Sequence, residues 1–378
     1  MDTVHIIGGG IGGLMLANAL HRAEIDFHLF EQAPQLTEVG AAIGISKAVL
    51  DILEDLGLDE QVKSNGSVTQ HVHFEDKNLN VIRAVSGEWP GVIIHRAKLI
   101  DIFASRLPKE KIHLNKKLIR FKSELNFSIL HFSDGLEVKS VCTVMADGIQ
   151  SLARNQLFPE IKIRSAGQTI WRGVTTIQLP QRYSNTFTEI WDDSKRFLFA
   201  PMDSKTACWL AVKNGTFEGQ DNPNTIRQEL LNEYKHFHPL LKELLLKSTN
   251  FIRNELADLG SEKRNWYHNR IVFIGDAIHA TTPNLAQGGC QAMEDAFCLA
   301  YLMKNSTGNF SELFPVYQNL RNKKVSYIIN TSWRFGKMMN SPLRTFIMKC
   351  FFKYAPNSFF VGLEKRLNDL SYLKLGGN

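Results

Sequence analysis

A chain of 378 residues exceeds the ~150-residue prior for one domain, and its 44% hydrophobic content is that of a globular protein, not a disordered one. Its 44 basic and 38 acidic residues leave a formal charge of +6 without any long Lys or Arg run, which argues against DNA or RNA as a partner. Five cysteines, an odd number with no CxxC pair and no metal-ligand spacing with histidine, suit a reduced compartment and give no metal site.

The first expected element is a strand, Val4–Ile7, entered directly from Met1 with no cleavable leader pattern, so a cytoplasmic location is expected. A glycine turn, a helix over Ile11–Ala23 and a strand at Phe27–Phe30 complete one βαβ unit. Apolar residues three and four apart predict a helix over 46–63, with Gly57 as a stop, followed by a β-rich patch from His71 to Ile94 and an amphipathic helix over Arg96–Leu107. Residues 112–145 alternate as strands up to Asp147-Gly148. From Gln168 to Lys213, strands rich in Trp, Phe and Thr, interrupted by Pro180 and Pro201, predict an antiparallel sheet. A helix over Thr225–Lys247, a strand near Phe251–Arg253 and a buried strand over Arg270–Ile274 follow. The expected class is α/β. A Rossmann-like nucleotide-binding domain is assembled from residues 1–70, 95–165 and 266–330, with an inserted, mainly antiparallel β-sheet substrate domain from 71–94 and 166–265, and a C-terminal helical segment at 331–378. No stretch approaches the ~20 apolar residues of a membrane span. The aromatic and basic tail, Trp333–Leu373, is expected to pack against the nucleotide-binding domain, with an interfacial helix as the alternative.

Gly8-Gly9-Gly10-Ile11-Gly12-Gly13 satisfies G-x-G-x-x-G between a strand and a helix. Gly8, Gly10, Gly12 and Gly13 make a turn free enough of side chains for a pyrophosphate to lie on the helix N-terminus. Glu31 lies 18 residues beyond Gly13, near the ~20-residue offset at which a carboxylate meets the adenosine ribose and disfavours a 2′-phosphate. These features fit NAD or FAD equally. The second constellation favours FAD. Arg270–Ile274 delivers Gly275-Asp276 at a strand end, where a carboxylate can take ribityl hydroxyls, and Pro283-Asn-Leu-Ala286-Gln287-Gly288-Gly289 opens another helix whose positive end suits a reduced flavin.

With Asp147-Gly148-Ile-Gln-Ser-Leu-Ala-Arg154, these motifs resemble the class A flavoprotein monooxygenases built like para-hydroxybenzoate hydroxylase, nearest in the loop from Pro283 to the urate-hydroxylase and zeaxanthin-epoxidase branches. The resemblance covers most of residues 1–330. It implies non-covalent FAD, NADPH or NADH as a transient co-substrate, and transfer of one atom of O2 to a small aromatic or conjugated substrate through a flavin C4a-hydroperoxide. It also implies cofactor contacts at Asp147, Gly148 and Arg154, at Gly275, Asp276, Ala286 and Gln287, at Arg96, and at Ala42 within the flavin-side loop Glu38–Ser46. Pro283, Gly288, Gly289 and Arg172 are expected around the reacting ring. Two departures are Lys47-Ala48 for a common Pro-Asn, and Ala286 where glycine is usual. Gating of flavin reduction is expected at Val39–Ser46 and Pro283–Gly289.

His279 reads as a structural histidine, and Trp171, Trp191, Phe199 and Trp209 as core. Tyr183, Tyr234 and Tyr267 are unranked as bases. A flavin reductase, dehydrogenase or epoxidase acting on an isoprenoid-type compound and an FAD-binding redox sensor remain alternatives. No metal, nucleic acid or obligatory membrane partner is expected, and the oligomeric state is open.

Overall fold

The computed structural model describes residues 3–36, 40–217, 219–306 and 310–376. Val4–Ile7 forms β1, the glycine turn leads into α1 (Ile11–Arg22), and Phe27–Phe30 returns as β2, parallel to β1. After β3 (Ala42–Ile45), the segment expected as one helix is two, α2 (Lys47–Asp55) and α3 (Asp59–Ser64). Gly57 between them has φ +68, a left-handed turn through which a helix cannot continue. Strands β4 (Gly66–Asp76) and β5 (Val81–His95) precede α4 (Arg96–Ser105).

The alternation over 112–145 resolves into β6 (Ile112–His113), β7 (Leu118–Ser123), β8 (Ser128–Phe132), β9 (Glu137–Ser140) and β10 (Cys142–Met145), and α5 follows at Leu152–Leu157. The aromatic-rich region gives β11 (Arg164–Thr176), β12 (Thr186–Asp192), β13 (Lys195–Pro201) and β14 (Thr206–Asn214). The helix expected over 225–247 divides into α6 (Ile226–Glu233) and α7 (Pro239–Leu246), since Pro239 has no N–H to extend a ladder but suits a first helical position. The remaining elements are β15 (Ile252–Asp258), β16 (Tyr267–His268), β17 (Ile271–Phe273), α8 (Asp276–His279), α9 (Gly288–Lys304), α10 (Phe310–Met338), α11 (Pro342–Tyr354) and α12 (Asn357–Leu367).

Three sheets result, ordered β16-β17-β10-β1-β2-β6, β15-β11-β14-β13-β12-β4-β5-β3 and β7-β8-β9. The first is parallel apart from its β16 edge. The second is antiparallel apart from the β4–β12 pair. It begins earlier in the chain than the residue-71 boundary expected for the substrate domain, because it takes in residues 42–45 and 66–70. Four residues of β3 carry no legible period, and they become a strand only by pairing Ala42 with His95.

The tail divides its contacts between residues of the expected nucleotide-binding part and the eight-stranded sheet. Phe352 and Phe360 bury against Phe74 and Trp191 of the eight-stranded sheet, whose aromatic face would otherwise meet water. Beyond α12, Asn368 Oδ1 accepts from Ala48 N (3.1 Å), at the Lys47-Ala48 departure, and Tyr372 reaches Glu294. Four of the five cysteines are buried, and Cys350 is half-buried. Among the described residues no helix is long and apolar enough to cross a membrane.

Candidate active site

The first turns of α1 and α9 lie side by side, with a methyl on Gly12 placed only 3.3 Å from Ala292 Cβ. Gly10 and Gln287 precede these helices, neither gives a side-chain cap bond, and neither first turn carries an acid. Their leading N–H groups and positive dipole ends therefore suit an anion. The glycine turn needs its glycines: Gly8 has φ +111, and a methyl on Gly13 would stand 1.9 Å from Gly8 O. Glu31 caps this turn, accepting from Gly9 N (2.6 Å) and Ala33 N (2.8 Å). A carboxylate takes about four hydrogen bonds, so Glu31 retains room for ribose hydroxyls.

Asp276 is exposed although it follows the fully buried Ile271–Phe273, which places its carboxylate at a cleft. Protein packed around it holds its carboxyl above the usual range against the pull of His279 and Arg96. The turn that presents it is fixed from behind. Asp295 accepts from Gly275 N (2.9 Å) and Arg321 Nε (2.8 Å) and pairs with His279, while Glu294 takes Arg321, Lys324 and Tyr372. His279, its ring tilted against that of Trp266 with centres 4.8 Å apart, is thus a structural group. Asp295 and Arg321 went unrecognised as determinants of this turn, because the pairing spans 26 residues with no motif linking its ends.

Arg96 is half-buried under Gly40, within electrostatic reach of Asp276 and Arg172, and burial lowers its pKa from the usual guanidinium value. Asp147 accepts from Leu152 N (3.1 Å) through Oδ2, its Oδ1 has no partner among the described residues, and burial raises its pKa. Beside it Gly148 has φ +77 with open space around its Cα. Arg154 corrects the expectation of a cofactor contact. It is fully buried and donates to Ala277 O (3.1 Å) and Asn155 Oδ1 (2.8 Å), so it braces the strand-end turn instead of facing the cleft. Glu38 and Val39 of the flavin-side loop lie outside the described residues. Of that loop, Ala42 is half-buried in β3, and Ile43 Cδ1 stands 2.6 Å from where Gly289 would carry a methyl.

Pro283–Leu285 makes a single 3-10 turn, and Ala286 then adopts φ 53, ψ 31, the left-handed conformation glycine would take at less cost. Pro283 and Ala286 are exposed, whereas Gln287 turns inward to Gln291 (3.1 Å). A methyl on Gly288 would lie 4.0 Å from Asp276 Oδ1, so loop and carboxylate share one cleft. Asn284 ties the loop to distant elements: it donates to Ser332 O (3.0 Å) and accepts from Arg196 Nη1 (2.5 Å), itself in a buried ion pair with Glu189 (2.6 Å). Arg196 and Glu189 were not singled out in the sequence. Their opposed charges on the neighbouring strands β12 and β13 carry a signal only once the register is known.

Because Arg196 meets Asn284, the face of β13 bearing Arg196, Leu198 and Ala200 looks at the loop. The same face carries Arg172 and Val174 of β11, Leu210 of β14 and Phe187 of β12, all half-buried. Arg172 donates to Asn254, and its Nε has no partner among the described residues. Trp171, Phe199 and Trp209 point to the opposite, helix-covered core, and Trp191 to the tail. Tyr183 is buried against Glu75 and Tyr234 against backbone carbonyls, which raises both pKa values, so neither phenol is placed as a base here.

The uncapped paired helix ends, Glu31, Asp276 and the orphaned Asp147 Oδ1 fit FAD. The profile of the FAD binding domain family matches residues 1–116 and 129–321. The chain is 32% identical over 345 residues to the aurachin C monooxygenase/isomerase of Stigmatella aurantiaca, covering 89% of each chain. It is 28% identical over 378 residues to the 2-heptyl-3-hydroxy-4(1H)-quinolone synthase of Pseudomonas aeruginosa, covering 97% of each. Klebsiella pneumoniae HpxO, solved with FAD and uric acid, has the same fold, with TM-score 0.88 at 20% identity over 97% of this chain and 96% of that one. The matched profile spans most of the chain and both helix-opening motifs, and the chain therefore belongs to the FAD-binding family of monooxygenases, with FAD as cofactor and NAD(P)H as electron donor.

Proposed function

We propose that this monooxygenase hydroxylates a fused, electron-rich aromatic of the quinolone class bearing an apolar substituent. The half-buried patch of Val174, Phe187 and Leu210 around Arg172 carries the reading: it offers an apolar bed beside a guanidinium, matching a ring system with a polar carbonyl edge and an alkyl chain. The names of the aurachin and heptylquinolone relatives support the same class.

FAD supplies hydride acceptance and oxygen activation when bound. Gly8–Gly13 and the start of α1 would hold its pyrophosphate, Glu31 its adenosine ribose, and Asp276 the ribityl hydroxyls, with Asp147, Gly148, Arg96 and Ala42 alongside. Pro283–Gly289 would wall the reacting ring, with Gly288 and Gly289 presenting backbone N–H donors from the start of α9. Arg172 would orient the substrate carbonyl, and the apolar residues beside it would exclude water. The nucleotide-binding part would be drawn from residues 1–70, 95–165 and 266–330 and the substrate part from 71–94 and 166–265, with β3 joining the second.

The test is oxidation of NAD(P)H by the purified protein with 2-alkyl-4-quinolones and with salicylate. A quinolone that accelerates oxidation at least about tenfold, roughly 1.4 kcal/mol of barrier, and gains 18O from 18O2 is expected. Acceleration and oxygen incorporation with salicylate alone would overturn the assignment.

A further inference from the structure

Helix α11 buries Thr345 and Phe352 against the body of the protein, so its opposite side faces outward. At 100° per residue, Leu343, Phe346, Ile347, Cys350, Phe351 and Tyr354 fall within about 140° of arc centred opposite that packing face. Leu343 is 70% exposed, Phe346 62%, Ile347 48% and Tyr354 76%. Phe359 of α12 extends the stripe by an edge contact with Phe351, ring centres 5.0 Å apart. A soluble surface scatters its apolar residues, whereas this one lines them along a single ridge.

The charges bordering the ridge on α11 have one sign: Arg344 and Lys353 stand on its two borders, and residues 331–363 contain no Asp or Glu. The first acid beyond them, Glu364, is followed at the end of α12 by Lys365 and Arg366. A ridge of apolar side chains between basic borders is the pattern of a helix lying at the headgroup level of an anionic bilayer, its aromatic residues in the acyl boundary and its cations on phosphates. A second copy of the same ridge would bring like charges together. A protein groove would need a partner, of opposite charge, shaped to a convex helix.

We propose that α11, with the start of α12, docks the protein peripherally on an anionic lipid surface. The inference stands apart from the substrate assignment, since it uses none of the flavin-site residues. Lipid is met by the convex ridge as it stands, with no change in the fold.

Full-length, FAD-loaded protein should be sedimented with vesicles of phosphatidylcholine containing about 30% phosphatidylglycerol, and with pure phosphatidylcholine, at about 0.1 M salt. Binding to the anionic vesicles is expected to fall at least about tenfold in the Phe346→Glu, Ile347→Glu double variant and to weaken in Arg344→Glu, Lys353→Glu. Because these side chains are exposed, both variants should keep their FAD and their melting temperature. Protein left in the supernatant with anionic vesicles, or undiminished binding by the Phe346→Glu, Ile347→Glu variant, overturns the proposal. So does a dimer in sedimentation equilibrium that this variant dissociates without any vesicle binding, which would make a second copy the occupant.

Discussion

The starts of α1 and α9 are two solutions to one problem, a helix N-terminus held open for an anionic group. The first is specified within the residues that form it: Gly13 packs on Gly8 O, and Glu31, one strand later, fastens Gly9. The second is held from outside. Asn284 is fixed by Arg196 of the eight-stranded sheet and Ser332 of α10, and Ala286 sits in a left-handed conformation its side chain disfavours. On the proposed reading, a site that must bind the same group throughout can be built locally, whereas a loop that would contact both flavin and substrate is tied to the sheet that would carry the substrate face.

Removing the external tie should have the largest effect. Arg196→Ala leaves Glu189 buried without its charge partner and is expected to lower unfolding free energy by about 3–5 kcal/mol in denaturant titration. Pairing Arg196→Met with Glu189→Leu should recover most of that stability while substrate-stimulated NAD(P)H oxidation stays depressed, since Asn284 still lacks its donor. Full activity in the double variant would show that the loop stands without the sheet.

Gly13→Ala probes the local solution. A methyl 1.9 Å from Gly8 O forces the turn apart, and a loss of about 3 kcal/mol with FAD lost on gel filtration is expected. A yellow variant with unchanged melting temperature would mean the turn has slack. Glu31→Gln should weaken FAD binding by about 1.5–3 kcal/mol in fluorescence titration, the worth of a hydrogen bond to a charged acceptor. Unchanged affinity would move the ribose contact elsewhere. The smallest effect belongs to Ala286→Gly, which exchanges left-handed strain for added unfolded-state entropy and should raise stability by about 0.5 kcal/mol. A fall in melting temperature would show that the alanine methyl makes a contact worth more than the strain.

The residues of the proposed site were legible in the sequence wherever chemistry and chain position coincide. The βαβ unit, the glycine turn, Glu31 at its strand end and Asp276 at another follow from spacing, because parallel strands deliver ligands at their carboxyl ends whatever surrounds them. The family resemblance added Asp147 and the Pro283–Gly289 loop. It also suggested Arg154, which the fold instead buries behind Ala277.

Sequence alone pointed to the class of fold, the cofactor and the two glycine-opened helices, since the order of elements is a pattern along the chain and each strand–turn–helix motif is local. Only the tertiary structure decided that α6 and α7 are separate, that β3 joins the second sheet, that Asp295 and Arg321 lock the Asp276 turn, and that Arg196 reaches Asn284 across 88 residues. It also decided which side of the aromatic tail is covered. Periodicity marks α11 as having an apolar face, but whether that face meets protein or solvent depends on Phe74 and Trp191, strands distant in sequence that take Phe352 and leave Phe346 and Tyr354 outside. The physical reason is that burial and charge pairing are properties of the neighbours a residue finds, and those are set by register and packing over the whole chain.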